Sequence, residues 1–72
     1  MDTLEIMGQR LRELRKTRKL RQEDMGNILE CTQRHYQRIE HGQINLPVLS
    51  LITLADYFAV STDYLLGRSD QP

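Results

Sequence analysis

The sequence predicts an all-α protein, a compact five-helix bundle, and three observations carry that prediction. Apolar residues recur three and four apart, the spacing that puts them on one face of a helix. Start and stop residues punctuate the runs: Asp2, Thr32 and Ser61 ahead of them, Gly42 and Gly67 behind, and Pro47 where the fourth begins. With 72 residues the chain holds one small core and no second domain, near the lower limit at which a single core folds without staples.

Taken in order, Asp2 and Thr3 cap a first helix that reaches about Thr17, with Leu4, Met7, Leu11 and Leu14 as its inward stripe. Asp2 and Glu5 suit the positive end of that helix and the arginines its negative end. Ile6 falls off the stripe; it either covers a neighbour's edge or, as preferred here, stands as an isolated exposed apolar residue. Thr17 to Leu20 connect, and Leu20 is expected in the core. Gln22 to Leu29 form a second helix around Met25, Ile28 and Leu29, and Glu30-Cys31 break its pattern. Thr32 opens a third run, with Tyr36 and Ile39 inward and Gly42 as its stop. Its other face carries Gln33, Arg34, His35, Gln37, Arg38 and His41, and Glu40 is the one acid in the run. Gln43 to Pro47 form a loop. Pro47, having no N–H to waste, opens a fourth helix to about Phe58 with Leu51, Leu54, Ala55 and Phe58 inward. Ser61 caps a last short helix with Tyr64, Leu65 and Leu66 on its apolar face. The domain is therefore expected over residues 1–67, with 68–72 as a loose tail.

Charge is balanced in total, ten basic against ten acidic side chains, which taken alone argues against a nucleic-acid partner. Its distribution argues the other way. Arg10, Arg12, Arg15, Lys16, Arg18, Lys19 and Arg21 crowd one segment against Glu13 alone, whereas residues 42–67 hold Asp56 and Asp63 and no base. One cysteine excludes an internal disulfide and a thiolate zinc cluster, and points to a reducing compartment. The N-terminus lacks the basic start and apolar block of a signal peptide and no run has membrane-spanning length, so a cytoplasmic protein with no membrane partner is expected. No catalytic constellation is visible, His35 and His41 have the wrong company for a metal site, and there is no glycine-rich phosphate loop. No enzyme activity, metal, cofactor or small-molecule ligand is expected.

Several of these residues stand together in a known pattern. Gly8 to Arg15, then Gln22, Met25 and Gly26, then Thr32, Tyr36, Ile39, Glu40 and Gly42, then Leu54-Ala55 and Leu65-Leu66-Gly67 fall in register from about Met7 to Gly67. In this the chain resembles the helix-turn-helix domain of the Xre and Cro-like phage repressors, the lambda repressor-like fold. Tyr36 departs from the pattern by replacing an aliphatic residue, and its hydroxyl must find a partner or the surface. Cys31 takes the place of a small apolar turn residue.

The resemblance implies a double-stranded DNA partner, with the third helix entering the major groove. Base reading then falls to Gln33, Arg34, Gln37 and Arg38; Gln can pair bidentately with adenine and Arg with guanine. His35 is a weaker base or phosphate donor. Gln22, Arg21, Thr32, Gln43 and Asn45 are expected at the DNA backbone, although Gln43 and Asn45 equally suit turn chemistry. Gln22 is also expected to brace Gln33. Arg10 is expected to pair with Glu40, and a homodimer, at least on DNA, is expected through Tyr57, Tyr64 and Leu65. Val48, Leu49, Ile52, Tyr57 and Tyr64 are more apolar side chains than so small a core easily holds, which suggests an exposed partner patch; the alternative is that most of them simply close the core. The function implied is a regulator, a repressor on a palindromic operator; the alternative is a protein-interaction module such as an antitoxin or anti-repressor component.

Overall fold

Five helices follow one another in the computed structural model, which describes residues 1–72: α1 (Thr3–Thr17), α2 (Gln22–Leu29), α3 (Gln33–Glu40), α4 (Val48–Phe58) and α5 (Thr62–Leu65). The expected fold class holds. Each start has a local cause. The Asp2 carboxylate accepts from the Glu5 N–H at 2.8 Å, and the Glu5 carboxylate accepts from the Asp2 N–H at 3.3 Å, a reciprocal capping box. Thr32 and Ser61 each accept at 3.0 Å, from the N–H of His35 and of Tyr64. Such caps contribute about 1 kcal/mol each relative to alanine. Pro47 stands immediately before α4 as its cap residue, one place earlier than a first-turn proline.

Nine buried residues form the core: Met7 and Leu11 from α1, Met25 from α2, Tyr36 and Ile39 from α3, Leu54, Ala55 and Phe58 from α4, and Leu65 from α5. Every helix supplies at least one, so none is an appendage. Leu20 packs against this cluster from the α1–α2 connector, as its sequence position suggested. α1 lies hard against the end of α3. A side-chain carbon added at Gly8 would come within 2.9 Å of the Ile39 carbonyl oxygen and closer still to the backbone of Glu40, so only glycine allows this approach. Gly42, at φ +73, takes the left-handed turn that ends α3.

One expectation about the periphery is corrected, and the segment after Gly67 has contacts of its own. Ile6 is half-buried and packs against Gly67, covering the end of α5 instead of standing alone in solvent. Residues 68–70 are tied down. Arg68 donates its backbone N–H to Asp63 at 2.8 Å, and Arg10 reaches over with one guanidinium nitrogen to the carbonyls of Tyr64 and Ser69, the latter at 2.7 Å, and with the other to Asp70 at 3.2 Å. The same guanidinium lies 4.3 Å from the centre of the Tyr64 ring, a cation–π contact.

Candidate nucleic-acid interface

α2 and α3 are joined by three residues, with Glu30 at φ 56 turning the chain and Thr32 capping α3. On α3 the core side and the exposed side divide cleanly. Tyr36, Ile39 and Glu40 are buried, while Gln33, Arg34, Gln37 and Arg38 are all exposed. At about 100° per residue these four span about 140° of the helix circumference, opposite the buried side. Glu40 is 8% exposed, so the one acid of this run is withdrawn from the surface and the exposed face carries Arg34 and Arg38 unopposed. Such a face offers donors in the forked geometry that suits base edges and phosphates.

The ion pair that seats α3 differs from expectation. Glu40 is held by Arg15, with Arg15 Nε donating to Oε2 at 2.6 Å and Nη2 to Oε1 at 3.2 Å. Arg10 takes no part, because its guanidinium is committed to the C-terminal segment. Helical geometry gives the reason. Arg15 stands two turns after Gly8, the residue against which α3 rests, whereas Arg10 projects from the opposite flank of the Leu11 stripe with Ile6. Burial works against ionising Glu40, but the two hydrogen bonds from Arg15, the dipole of the nearby Tyr36 hydroxyl, the charge of Arg15 and the Gln22 amide together outweigh it and hold the carboxyl below its ordinary value. The same hydrogen bonding raises the Arg15 guanidinium.

Two further side chains meet this pair. Gln22, the first residue of α2, donates from Nε2 to Glu40 Oε1 at 3.4 Å, so its amide is turned toward Glu40 and not toward Gln33. Tyr36 is 0% exposed; its hydroxyl lies beside Glu40 and Arg15 yet completes a hydrogen bond with neither. Burial, followed by the adjacent Glu40 carboxylate, raises the phenol above its ordinary value. The expectation that this hydroxyl would find a partner or the surface is not met.

Around the exposed face, Arg21 pairs with the acids of its own helix, 3.6 Å from Glu23 and 3.5 Å from Asp24. The Asp24 carboxyl is lowered first by the Arg21 backbone N–H, which donates to it at 2.8 Å. Thr32 uses its hydroxyl oxygen as the α3 cap and keeps its proton for another acceptor. Gln43 and Asn45 are exposed in the loop after α3, and the Gln43 N–H donates to the Arg38 carbonyl at 3.0 Å. His35 is exposed on the flank.

Two short helices with a tight turn, the second presenting an uncovered polar and basic face, are what residues 8–70 share with the helix-turn-helix domain family, whose pattern they match. The chain belongs to that family. This helix-turn-helix chain is 38% identical over 64 residues to an uncharacterized HTH-type transcriptional regulator, YobD of Bacillus subtilis (strain 168), which covers 89% of the chain and 57% of that protein. It thus spans little more than half the length of that relative. Its fold resembles the restriction-modification controller protein C.AhdI from Aeromonas hydrophila, with TM-score 0.74 and 31% identity over 86% of this chain and 94% of the other. It also resembles the P22 c2 repressor protein, solved in complex with synthetic operator 9T, with TM-score 0.80 and 28% identity over 89% and 97% of the two chains.

Away from α3, the helix-turn-helix domain leaves a second distinctive surface. Val48, Leu49, Ile52 and Tyr57 are exposed along α4 at 69%, 77%, 42% and 39%. Tyr57 stands edge-on to Phe58, and its carbonyl accepts from Arg18 at 2.8 Å. Tyr64 is half-buried beneath Arg10. Leu65 is 0% exposed and belongs to the core, so it is unavailable to a partner; it closes the α5 side of the bundle instead. Cys31 is half-buried against the core, and burial raises its thiol.

Proposed function

We propose that this chain is a sequence-specific double-stranded DNA-binding transcriptional regulator, a repressor that occupies a two-fold operator as a homodimer. One observation carries the reading: Gln33, Arg34, Gln37 and Arg38 stand exposed together on α3, with the only acid of that helix buried under Arg15. The likeness to the P22 c2 repressor solved with its operator supports the same reading. In this mode α3 lies in the major groove and its four side chains meet base edges. Thr32, Arg21, Gln22, Gln43 and Asn45 sit at phosphates beside it. Two copies place their α3 helices about 34–36 Å apart, one turn of duplex. Repression follows from occlusion, since a bound dimer covers DNA that polymerase needs.

Selection of duplexes from a random pool by the wild-type protein, followed by titration at two salt concentrations, tests this. The selected sites should be two-fold symmetric. Arg34→Ala and Arg38→Ala should each lose about 1–3 kcal/mol of discrimination at one base position per half-site. Asn45→Ala should weaken all duplexes alike. A wild-type protein that enriches no sequence, or an Arg34→Ala and Arg38→Ala pair that keeps the wild-type preference, overturns the proposal.

A further inference from the structure

The cluster beneath α3 contains one group with nothing to do in the free protein. Tyr36 is fully buried, and its hydroxyl has no hydrogen-bond partner. A buried hydroxyl left unpaired is destabilising, because it surrendered water and received nothing in return. Tyr36 and Glu40 are four residues apart on α3, so their side chains are neighbours on one face.

The Glu40 carboxylate accepts three hydrogen bonds that differ in strength. Two come from the Arg15 guanidinium, at 2.6 and 3.2 Å, and are charge-assisted. The third comes from the neutral amide of Gln22 at 3.4 Å, beyond the ordinary range for N–H···O bonds. Gln22 is therefore the donor that leaves most easily. It is only half-buried, and it opens α2, whose free N–H groups and positive dipole end suit a phosphate.

We propose that Gln22 and Tyr36 are alternative donors to Glu40: when a DNA phosphate draws the Gln22 amide away, the Tyr36 hydroxyl turns onto the acceptor position it leaves on Oε1, beside the Arg15 bond that stays. This rests on the reading of α3 as the base-reading helix and adds a coupling to it. The exchange keeps the number of hydrogen bonds at Glu40 and satisfies the orphaned hydroxyl. Backbone contact at α2 is thereby registered inside α3, between the pair Gln33-Arg34 and the pair Gln37-Arg38. Tyr36 is a positioning residue in this scheme, since it touches no DNA and acts through Glu40.

The test is a double-mutant cycle of Tyr36→Phe and Gln22→Ala, with affinity measured on a duplex selected by the wild-type protein and thermal unfolding measured without DNA. Tyr36→Phe removes one oxygen and keeps the ring, so its free form should unfold at or above the wild-type midpoint. On DNA it should bind about threefold to tenfold more weakly. In the Gln22→Ala background the same change should have no effect on affinity. Wild-type affinity for Tyr36→Phe, or an equal loss with and without Gln22, overturns the coupling while leaving the regulator reading intact. Failure of the wild-type protein to select any duplex brings down both.

Discussion

At the residue scale, Glu40 and Ala59 make opposite predictions. Glu40 is folded with its carboxyl below the ordinary value of 4.5, so it contributes stability at pH above the unfolded value and loses it as pH falls through the folded one. The thermal midpoint should be flat from neutral pH to about pH 5 and drop below that, and Glu40→Gln should flatten the acid limb. Because the carboxylate side chain is 2% exposed and its Arg15 partner 11%, Glu40→Gln strands a buried guanidinium. Removing one partner of such a pair costs about 3–5 kcal/mol, a large share of the stability of a domain this small. Ala59 ends α4 at φ 55, a left-handed conformation that its side chain disfavours. Ala59→Gly should stabilise by about 0.5–1 kcal/mol, read as a rise in the midpoint of urea unfolding.

At the element scale, helix positions were legible because caps and apolar spacing are local. Asp2, Thr32, Ser61, Gly42 and Gly67 all serve where their chemistry placed them. The exposed set on α3 was legible for the same reason: Tyr36 and Ile39 fix which side is inward. What sequence did not yield were partners between helices. Arg10 and Arg15 flank the same apolar stripe, and only the crossing of α1 over α3 decides which meets Glu40. Gly8 was the available signal, since a glycine inside a helix marks close approach and Arg15 lies two turns further on that side. Leu65 was misplaced because a four-residue helix has too few positions to separate an inner from an outer face. The two arginines predict different phenotypes. Arg10→Met should loosen α5 and residues 68–70, seen as faster amide exchange there, and leave the base preference of the selected site unchanged. Arg15→Met should cost stability on the scale of Glu40→Gln.

For the whole molecule, zero net charge hides a polar arrangement: bases concentrate on α1 and its connector, and residues 42–67 hold Asp56 and Asp63 and no base. Weak sequence-independent DNA affinity should follow, with discrimination resting on the α3 side chains. The exposed Val48, Leu49 and Ile52 on α4 leave an apolar strip on the same small body. The sole thiol adds a handle on motion of that body. Cys31 sits in the three-residue turn between α2 and α3, half-buried and with its proton held more tightly than in a free thiol. An alkylating reagent at neutral pH therefore finds little thiolate until those helices part. The rate of cysteine capture becomes a stopwatch for opening of that turn, and no introduced label is needed to run it.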